Sequence, residues 1–478
     1  MRIYGGMQTP ERRRRRTSKV RRDHLGGKRG DGHRLQKLGR RVKRPDPSRM
    51  RVEPGKEAIT GYAGLVSFGA YLKQVGVDDQ FQRLFGDMKT GSQVVYPMDA
   101  QLRLLTDAYA VGEHRPFGLE ALAADPLFVH LAGGTVPCLD TVYRDLARFD
   151  GPSINALESM MAHHGLALLA GWERKRNAVM HLDFDTTVLP VFGALQGAAV
   201  GPNPRYHGRP SYHPVLARVA ETDALVGALL RGGDTSFGDD DAPTVARIID
   251  RLRETTGPNV TLYVRGDAAF DCTEVLRQIH VRGAYFLTKA HVTQDLQAAM
   301  AYTTRWNTLD RDADNKPTLQ YAEISFARQE WQRAGLPTRV IAFRWRDRNK
   351  GHQLCLWDDV EYSIQVIITN DMHSPAVELL QRYRDRAGIE PLIGELKYGH
   401  GLGEMPSTTF VANHAAMLLK MLVHNLLRRF VDEHHPSLKP WRVPWLRRAL
   451  LVVPARLSRR GRSHVLHPAA SSLVQQLE

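Results

Sequence analysis

Cysteine is scarce in this chain. Among 478 residues, Cys138, Cys272 and Cys355 lie far apart and show no paired spacing. Their odd number excludes a disulfide framework, and their separation excludes a zinc site built from cysteine pairs. No apolar run approaches the roughly eighteen residues of a membrane-spanning helix, and no apolar segment follows the arginine-rich amino terminus. We therefore expect neither a membrane span nor a secretory signal, and a reducing cytoplasm as the compartment.

Acidic residues are rare near the amino terminus. Residues 1–52 hold 19 Lys or Arg against 4 Asp or Glu, which accounts for the entire net charge of +15. With Arg12 to Arg16 in a row and almost no apolar periodicity, this segment is predicted to be a disordered basic tail attracted to polyanions. A start codon assigned too far upstream would give the same composition.

Acidic residues are also missing near the carboxyl terminus. Residues 436–476 contain eight Lys or Arg and no Asp or Glu. This pattern predicts a basic face that contacts phosphates. Its arginines are Arg447, Arg448, Arg456, Arg459, Arg460 and Arg462.

One stretch concentrates functional side chains. At about 100° per residue, Tyr383, Arg386, Glu390 and Lys397 fall within one helical stripe of about 60°. Two cations and a phenol around a single carboxylate suit phosphate oxygens together with a divalent cation. Glu395 lies off this stripe, so its replacement by Gln is expected to be close to neutral.

The same stretch permits a simpler interpretation. An amphipathic helix with solvated charges would show a similar composition. Gly388 weakens a helix, and Pro391 removes one hydrogen bond, so the helix is expected to kink or restart beside Glu390.

The four residues of the stripe match the spacing Tyr-x2-Arg-x3-Glu-x6-Lys. In this the chain resembles one large group of bacterial insertion-sequence DDE transposases. The resemblance implies a ribonuclease-H-like fold with one catalytic aspartate on the first strand and another just after the fourth. It also implies Glu390 as the third catalytic carboxylate, and Tyr383, Arg386 and Lys397 as DNA contacts.

The sequence upstream supplies both aspartates. Three strands, a helix and a fourth strand follow one another, at residues 179–189, 215–220, 225–230, 241–254 and 260–264. Strand alternation puts Asp183 and Asp185 on one face, and Asp267 follows the fourth strand. The resemblance favours Asp185, because Asp185-Thr-Thr is similar to the Asp-x-Ser/Thr pattern of the family. Asp183 is the alternate ligand, or else a partner for a basic residue on a neighbouring strand.

The predicted fold class is α/β: a ribonuclease-H-like core with a β-rich insertion, preceded by a helical N-terminal domain and the disordered basic tail. We divide the chain into residues 1–52 (tail), 53–172 (helical DNA-binding and assembly domain), 173–290 (first part of the core), 291–365 (β-rich insertion), 366–430 (second part, with the catalytic helix) and 431–478 (basic carboxy-terminal region).

Three further segments are candidate DNA contacts. A helix after Gly134 could present Thr141, Tyr143 and Arg144. The resembling transposases use a β-rich insertion to hold a flipped base, and Trp331 is a candidate for that contact, with a place in the core as the alternative. The loop from Tyr206 to Pro214 also resembles the family and is expected to approach DNA.

The chemistry follows from the carboxylates. Asp185, Asp267 and Glu390 can hold two Mg²⁺ ions, which Mn²⁺ can replace, and which assist attack first by water and then by a 3′ hydroxyl. The resemblance implies cut-and-paste movement of an insertion sequence in the cytoplasm, next to the nucleoid and without a membrane partner. A homodimer would bind the terminal inverted repeats in a synaptic complex with target DNA. Two alternatives stay open: a nuclease without strand transfer, and a transposase-derived DNA-binding protein without catalysis.

Overall fold

The computed structural model describes residues 55, 57–175, 177–201, 203, 207–346, 362–461 and 463–468. The predicted basic tail, Tyr206, Cys355 and Arg462 lie outside the described residues.

The strands, in chain order, are β1 (Ala58–Thr60), β2 (Val179–Thr186), β3 (Leu189–Pro190), β4 (Ser211–Tyr212), β5 (Val215–Val219), β6 (Ala224–Leu229), β7 (Thr261–Gly266), β8 (Tyr285–Lys289), β9 (Asn307–Arg311), β10 (Pro317–Ile324), β11 (Arg339–Arg346), β12 (Tyr362–Thr369), β13 (Ala455–Arg460) and β14 (Ser463–Pro468).

The α-helices are α1 (Gly64–Gln74), α2 (Val77–Phe85), α3 (Met98–Val111), α4 (Leu119–Leu122), α5 (Pro126–Leu131), α6 (Leu139–Leu146), α7 (Gly151–Leu166), α8 (Ala242–Thr256), α9 (Thr273–Val281), α10 (Gln294–Ala301), α11 (Gln329–Arg333), α12 (Ala376–Arg384), α13 (Ile389–Gly399), α14 (Phe410–His434) and α15 (Val443–Leu446). Short 3₁₀ turns include Ala268–Phe270 and Asp385–Gly388, and a π-helical turn spans Arg447–Leu451.

A mixed nine-stranded sheet organises the α/β fold. Its strand order is β6-β5-β2-β7-β8-β12-β11-β10-β9, with β2, β7 and β8 parallel and the other neighbours antiparallel. The strands predicted from residue 179 to residue 264 are present. On β2, Met180, Leu182 and Phe184 all enter the apolar core, as the alternation predicted.

The strands of the predicted insertion extend this sheet. β12 pairs antiparallel with β8, where Ile368 lies opposite Thr288, and pairs along its whole length with β11. β10 and β9 follow in order at the sheet edge. These strands therefore continue the backbone hydrogen bonding of the catalytic half of the sheet.

Helices cover both faces of the sheet. One apolar cluster joins β2 and β7 to α8 and α9 through side chains such as Ile249 and Ile279. A second lies between the sheet and α12 and includes Tyr263, Ile367 and Leu380. Because α12 leads directly into the stretch that carries Glu390, this second cluster helps to fix the catalytic helix against the sheet.

The interpretation of Trp331 as a base-contacting residue is wrong. Trp331 lies on α11 with 1% of its surface exposed, inside the cluster that contains β2 and β7. Its ring packs edge-on against Phe326, and the Arg328 guanidinium lies 4.5 Å from its centroid. A core position, the alternative interpretation of this tryptophan, is the one observed.

The helices before β2 share a core with the end of the chain. Phe68 and Leu105 belong to the same apolar cluster as Leu396 of α13 and Leu422 of α14. α14 is long and apolar enough to cross a membrane, by length and composition alone, but 89% of that apolar window is buried inside the protein. Such burial is typical of a core helix.

Candidate active site

Strand register brings Asp185 and Asp267 together. In the parallel pair β2 and β7, Asp183 lies opposite Arg265. Asp185 and Asp267 each come two residues later, so their side chains project to the same side where both strands end. The two aspartates line one small cavity, together with Phe184.

The carboxylate of Asp185 lies in a confined and strongly charged environment. Its side chain is 14% exposed, and Arg386 Nη1 lies 3.6 Å from its Oδ2. Burial raises the pKa of the Asp185 carboxyl to about 6; Arg386 opposes this shift, and the nearby charges of Asp267 and Glu390 add to it. The three predicted carboxylates therefore act on one another electrostatically.

Glu390 stands at the start of a new helix. α12 ends at Arg384, a 3₁₀ turn follows, and α13 begins at Ile389 with exposed Glu390 in its first turn. Pro391 fits here because the first turn of a helix needs no amide donor. The restart predicted beside Glu390 is confirmed.

Gly388 allows the turn to approach the sheet. A Cβ atom added at Gly388 would lie 3.2 Å from Arg218 Nη1, tighter than an ordinary contact. The turn before Glu390 therefore rests on the guanidinium of a β5 arginine. A larger residue would push the start of α13 away from the sheet.

The three predicted DNA contacts occupy different positions. Tyr383 is buried in the cluster under α12, while Arg386 faces Asp185. Lys397 Nζ donates a hydrogen bond to the Val188 carbonyl at 3.0 Å, three residues beyond Asp185. Tyr383 and Lys397 thus hold the catalytic stretch against the sheet, and their role toward DNA stays a prediction.

Asp183 is fully occupied by arginine. Arg265 Nε lies 2.6 Å from Asp183 Oδ1, and Arg265 Nη2 lies 3.0 Å from Oδ2. Arg218 approaches the same carboxylate at 3.6 Å. Asp183 has the second environment that the sequence allowed for it, a partner of basic residues on neighbouring strands.

The sequence interpretation overlooked Arg265 and Arg218. A signal existed for Arg265, because it precedes Asp267 by two residues and so projects to the same side of the sheet as Asp183. Arg265 also donates to the Arg382 carbonyl of α12. It therefore links the strand that carries Asp185 to the helix before Glu390.

The expectation that Glu395 is dispensable is wrong. Its carboxylate is buried, and it accepts hydrogen bonds from Arg428 Nη2 at 2.9 Å and from the Val443 amide at 2.8 Å. Glu395 lies off the stripe because it serves the opposite side of α13. There it fastens the catalytic helix to α14 and to the segment before α15.

The predicted basic carboxy-terminal face is only partly a surface. Arg447 turns inward and donates to the Ala110 carbonyl at 2.8 Å and to the Gly399 carbonyl at 2.7 Å. It thus satisfies carbonyls at the ends of α3 and α13. Arg456 pairs with Glu57 at 2.9 Å. Arg448, Arg459 and Arg460 are exposed.

Two other predicted DNA contacts lie at the surface. α6 forms where the sequence predicted a helix; Arg144 is exposed there, and Thr141 and Tyr143 are half-buried. The segment before Pro214 forms the short strand β4, paired with β3. Whether either segment meets DNA stays a prediction.

The donors at this site suit a hard cation. Carboxylate oxygens are the ligands that Mg²⁺ and Mn²⁺ prefer, and the mutual repulsion that raises the pKa of Asp185 is what a cation would relieve. Across the described ranges, no three His, Cys, Asp or Glu side chains lie close enough together to hold a metal ion. The residues thus fit a divalent metal by chemistry and by charge.

Comparison with known proteins adds an independent finding. A family model described as "Transposase DDE domain group 1" matches residues 44–477. Among solved structures, the chain is similar to a piggyBac transposase synaptic complex with hairpin DNA, with 9% identity, a TM-score of 0.43, and coverage of 83% of this chain and 82% of that one. It is also similar to the Drosophila P element transposase strand transfer complex, with 14% identity, a TM-score of 0.21, and coverage of 42% and 40%. No match was found among curated proteins.

Proposed function

Because the chain belongs to the family with the group 1 transposase DDE domain, and is therefore a DNA-cleaving transposase that catalyses phosphoryl transfer with divalent metal ions, we propose that it moves an insertion sequence by a cut-and-paste route. It belongs, in this proposal, to the bacterial group with the Tyr-x2-Arg-x3-Glu-x6-Lys spacing. A homodimer binds the terminal inverted repeats and joins them to target DNA of the nucleoid.

The observation that carries the proposal is the register of β2 and β7. It sets Asp185 beside Asp267, while the turn 385–388 delivers Glu390 within electrostatic reach of both. Asp185, Asp267 and Glu390 are the catalytic carboxylates of this proposal. The order of β2, β5, β6, α8 and β7 supports the assignment of a ribonuclease-H-like core.

Each carboxylate has a part in binding metal. Asp185, Asp267 and Glu390 would hold two Mg²⁺ ions, which would supply activation of the attacking oxygen and stabilisation of the leaving oxygen. Asp267 is oriented by its own turn, because its Oδ1 accepts the Ala269 amide at 3.0 Å. Asp185 is oriented similarly by the Thr186 amide at 2.9 Å.

Arg386 is suited to the phosphate. Its Nη1 is buried and makes no hydrogen bond within the described part of the chain, although it faces Asp185. A guanidinium beside the carboxylates can donate to a phosphate oxygen while its charge offsets that of the scissile group. Arg386 therefore positions substrate and lowers the repulsion between DNA and the acidic cluster.

The test uses an end-containing duplex and a supercoiled target plasmid. The inverted repeats that bracket the reading frame in its genomic DNA supply the end sequence. With Mg²⁺, the proposal expects nicking at the repeat boundary and then joining of the 3′ end to the plasmid. Nicking without joining would identify a nuclease without strand transfer. Binding without nicking would identify a transposase-derived DNA-binding protein.

A further inference from the structure

An exposed aromatic surface lies beside the catalytic helix. Tyr398 near the end of α13 is 84% exposed, Trp441 is 38% exposed and Trp445 of α15 is 61% exposed. Arg442 and Arg448 are exposed in the same short segment. We call these five residues the aromatic–arginine surface. Large aromatic side chains at the surface mark sites of interaction when they cluster.

The segment that carries this surface is fastened to the catalytic helix. Arg428, which is paired with Glu395 of α13, also donates to the Trp441 carbonyl at 3.0 Å. The Val443 amide donates to the same Glu395. These bonds join α13, α14 and residues 441–443 into one buried polar connection. The exposed tryptophans therefore extend from a rigid support.

Tyr398 and Trp445 belong to adjoining backbones. A Cβ atom added at Gly399 would lie 3.5 Å from Pro444 Cδ. Gly399 follows Tyr398, and Pro444 precedes Trp445, so the two aromatic residues flank a direct contact between α13 and α15. Tyr398 lies eight residues beyond Glu390, or about 12 Å along the helix axis.

The charge of the segment indicates the partner. Residues 436–476 contain no acid, and the nearby Asp432 is paired with Lys439. Aromatic faces combined with arginines and without carboxylates are typical of surfaces that stack nucleic-acid bases and contact phosphates. A second copy of the chain would add its own positive charge, which disfavours self-association through this surface.

We propose that the aromatic–arginine surface binds the unpaired DNA strand that cleavage leaves next to the active site. Tyr398 and Trp445 stack on its bases, and Arg442 and Arg448 contact its phosphates. The inference rests on the proposed function, because DNA cleavage creates such a strand beside Glu390. It assigns DNA binding to residues outside the Tyr383 to Lys397 stretch.

The test compares two DNA substrates. One is a blunt duplex with the terminal repeat, and the other carries the same repeat with a short single-stranded overhang at the cleavage position. The double variant Tyr398→Ala/Trp445→Ala should bind the overhang about 5- to 150-fold more weakly per stack lost. Its affinity for the blunt duplex should be nearly unchanged. Trp445→Phe keeps an aromatic face and should retain most of the affinity for the overhang.

Matched variants separate stacking from charge. Tyr302→Ala removes an aromatic side chain that is 86% exposed on α10's carboxyl-terminal side, and should leave both affinities unchanged. Arg442→Gln/Arg448→Gln should reduce the salt dependence of overhang binding by about 0.7 in log–log slope per lost phosphate contact. The aromatic variants should leave this slope unchanged.

Equal overhang affinity for wild type and the double variant would overturn the inference. If that result came with loss of a dimer in sedimentation, the surface would instead be an interface between copies. Failure of the proposed function reads differently: the wild-type chain would not join ends to the plasmid, yet the overhang preference and its loss in the double variant could still be measured.

Discussion

Arg265 and Asp183 form a buried, two-point ion pair across the parallel strands β7 and β2, with N–O distances of 2.6 and 3.0 Å. Both side chains are at most 1% exposed. Two residues further along the same strands lie Asp185 and Asp267, the candidate metal ligands. One pair of strands therefore carries a stabilising carboxylate and a reactive one on the same face, and substitution should separate their roles.

Asp183→Asn should destabilise the fold. Removing one partner of a buried ion pair leaves Arg265 uncompensated, at a cost of about 3–5 kcal/mol in the free energy of unfolding. Urea denaturation followed by circular dichroism measures this cost. Excess Mn²⁺ should not restore what is lost, because the defect is in folding. A variant of wild-type stability with activity restored by Mn²⁺ would instead make Asp183 a metal-supporting residue.

Asp185→Asn should show the opposite behaviour. Hydrolysis and strand transfer should both disappear at any Mg²⁺ or Mn²⁺ concentration, because a candidate metal ligand is lost. Stability should be retained or increased, since the substitution removes a buried charge that lies near two other carboxylates. Single-turnover cleavage and urea denaturation, run on the same preparation, check both parts.

Glu390→Gln should abolish cleavage while DNA affinity stays within about two-fold of wild type, as expected for an exposed substitution. The amide conserves volume but is a poor ligand for a hard cation. Glu254→Gln, on exposed α8, is the matched control and should cleave normally. Mg²⁺-dependent nicking by Glu390→Gln at the wild-type rate would remove Glu390 from the catalytic set.

The core of this site was accessible from sequence because it depends on short-range patterns. Alternation along residues 179–186 separates the buried side of β2 from the side that bears Asp183 and Asp185. The position of Asp267 follows from the end of one strand. Gly388 and Pro391 predicted the restart of the helix because their backbone limits act locally.

The contacts that were missed join residues distant in the chain. A helical wheel treats Glu395 as solvated because it lies off the stripe of Glu390. In the structure α13 is covered on that side by α14, and the partner Arg428 comes 33 residues later. Arg447 was counted as surface charge for the same reason, although the carbonyls that it meets belong to α3 and α13. Charge composition alone cannot distinguish an arginine that caps a helix from one that meets DNA.

Glu395→Gln should therefore be destabilising. The amide cannot compensate the charge of Arg428, whose side chain is mostly buried, and we expect a loss of about 1–3 kcal/mol in the free energy of unfolding. Cleavage per folded molecule should fall as well, because α13 carries Glu390. Urea denaturation checks the first effect, and the exposed Glu254→Gln again serves as control. An unchanged urea midpoint would mean that the bonds to Arg428 and Val443 contribute no net stability.

Buried histidines should make the protein unstable in acid. Burial lowers the pKa of His424 to about 3 and of His414 to about 4, and lowers the pKa of His400 well below its usual value. His424 Nε2 faces the Asp223 carbonyl at 3.3 Å, and its Nδ1 faces His400 Nε2 at 3.4 Å. Protonation of both rings would set two N–H donors against each other, and Arg428 adds repulsion.

The direction of the pH effect follows from these depressed values. The unfolded chain binds protons at its histidines below about pH 6.5, whereas the folded chain does so only at lower pH. Stability is therefore full above pH 6.5 and falls as the pH drops toward 4, by about 2 kcal/mol per buried histidine at pH 5. Urea midpoints at pH 8 and pH 5 measure the fall. His424→Gln should reduce the difference between the two midpoints, and His373→Gln, at an exposed position, should leave it unchanged. Equal pH dependence in all three proteins would show that protonation of His424 does not limit stability.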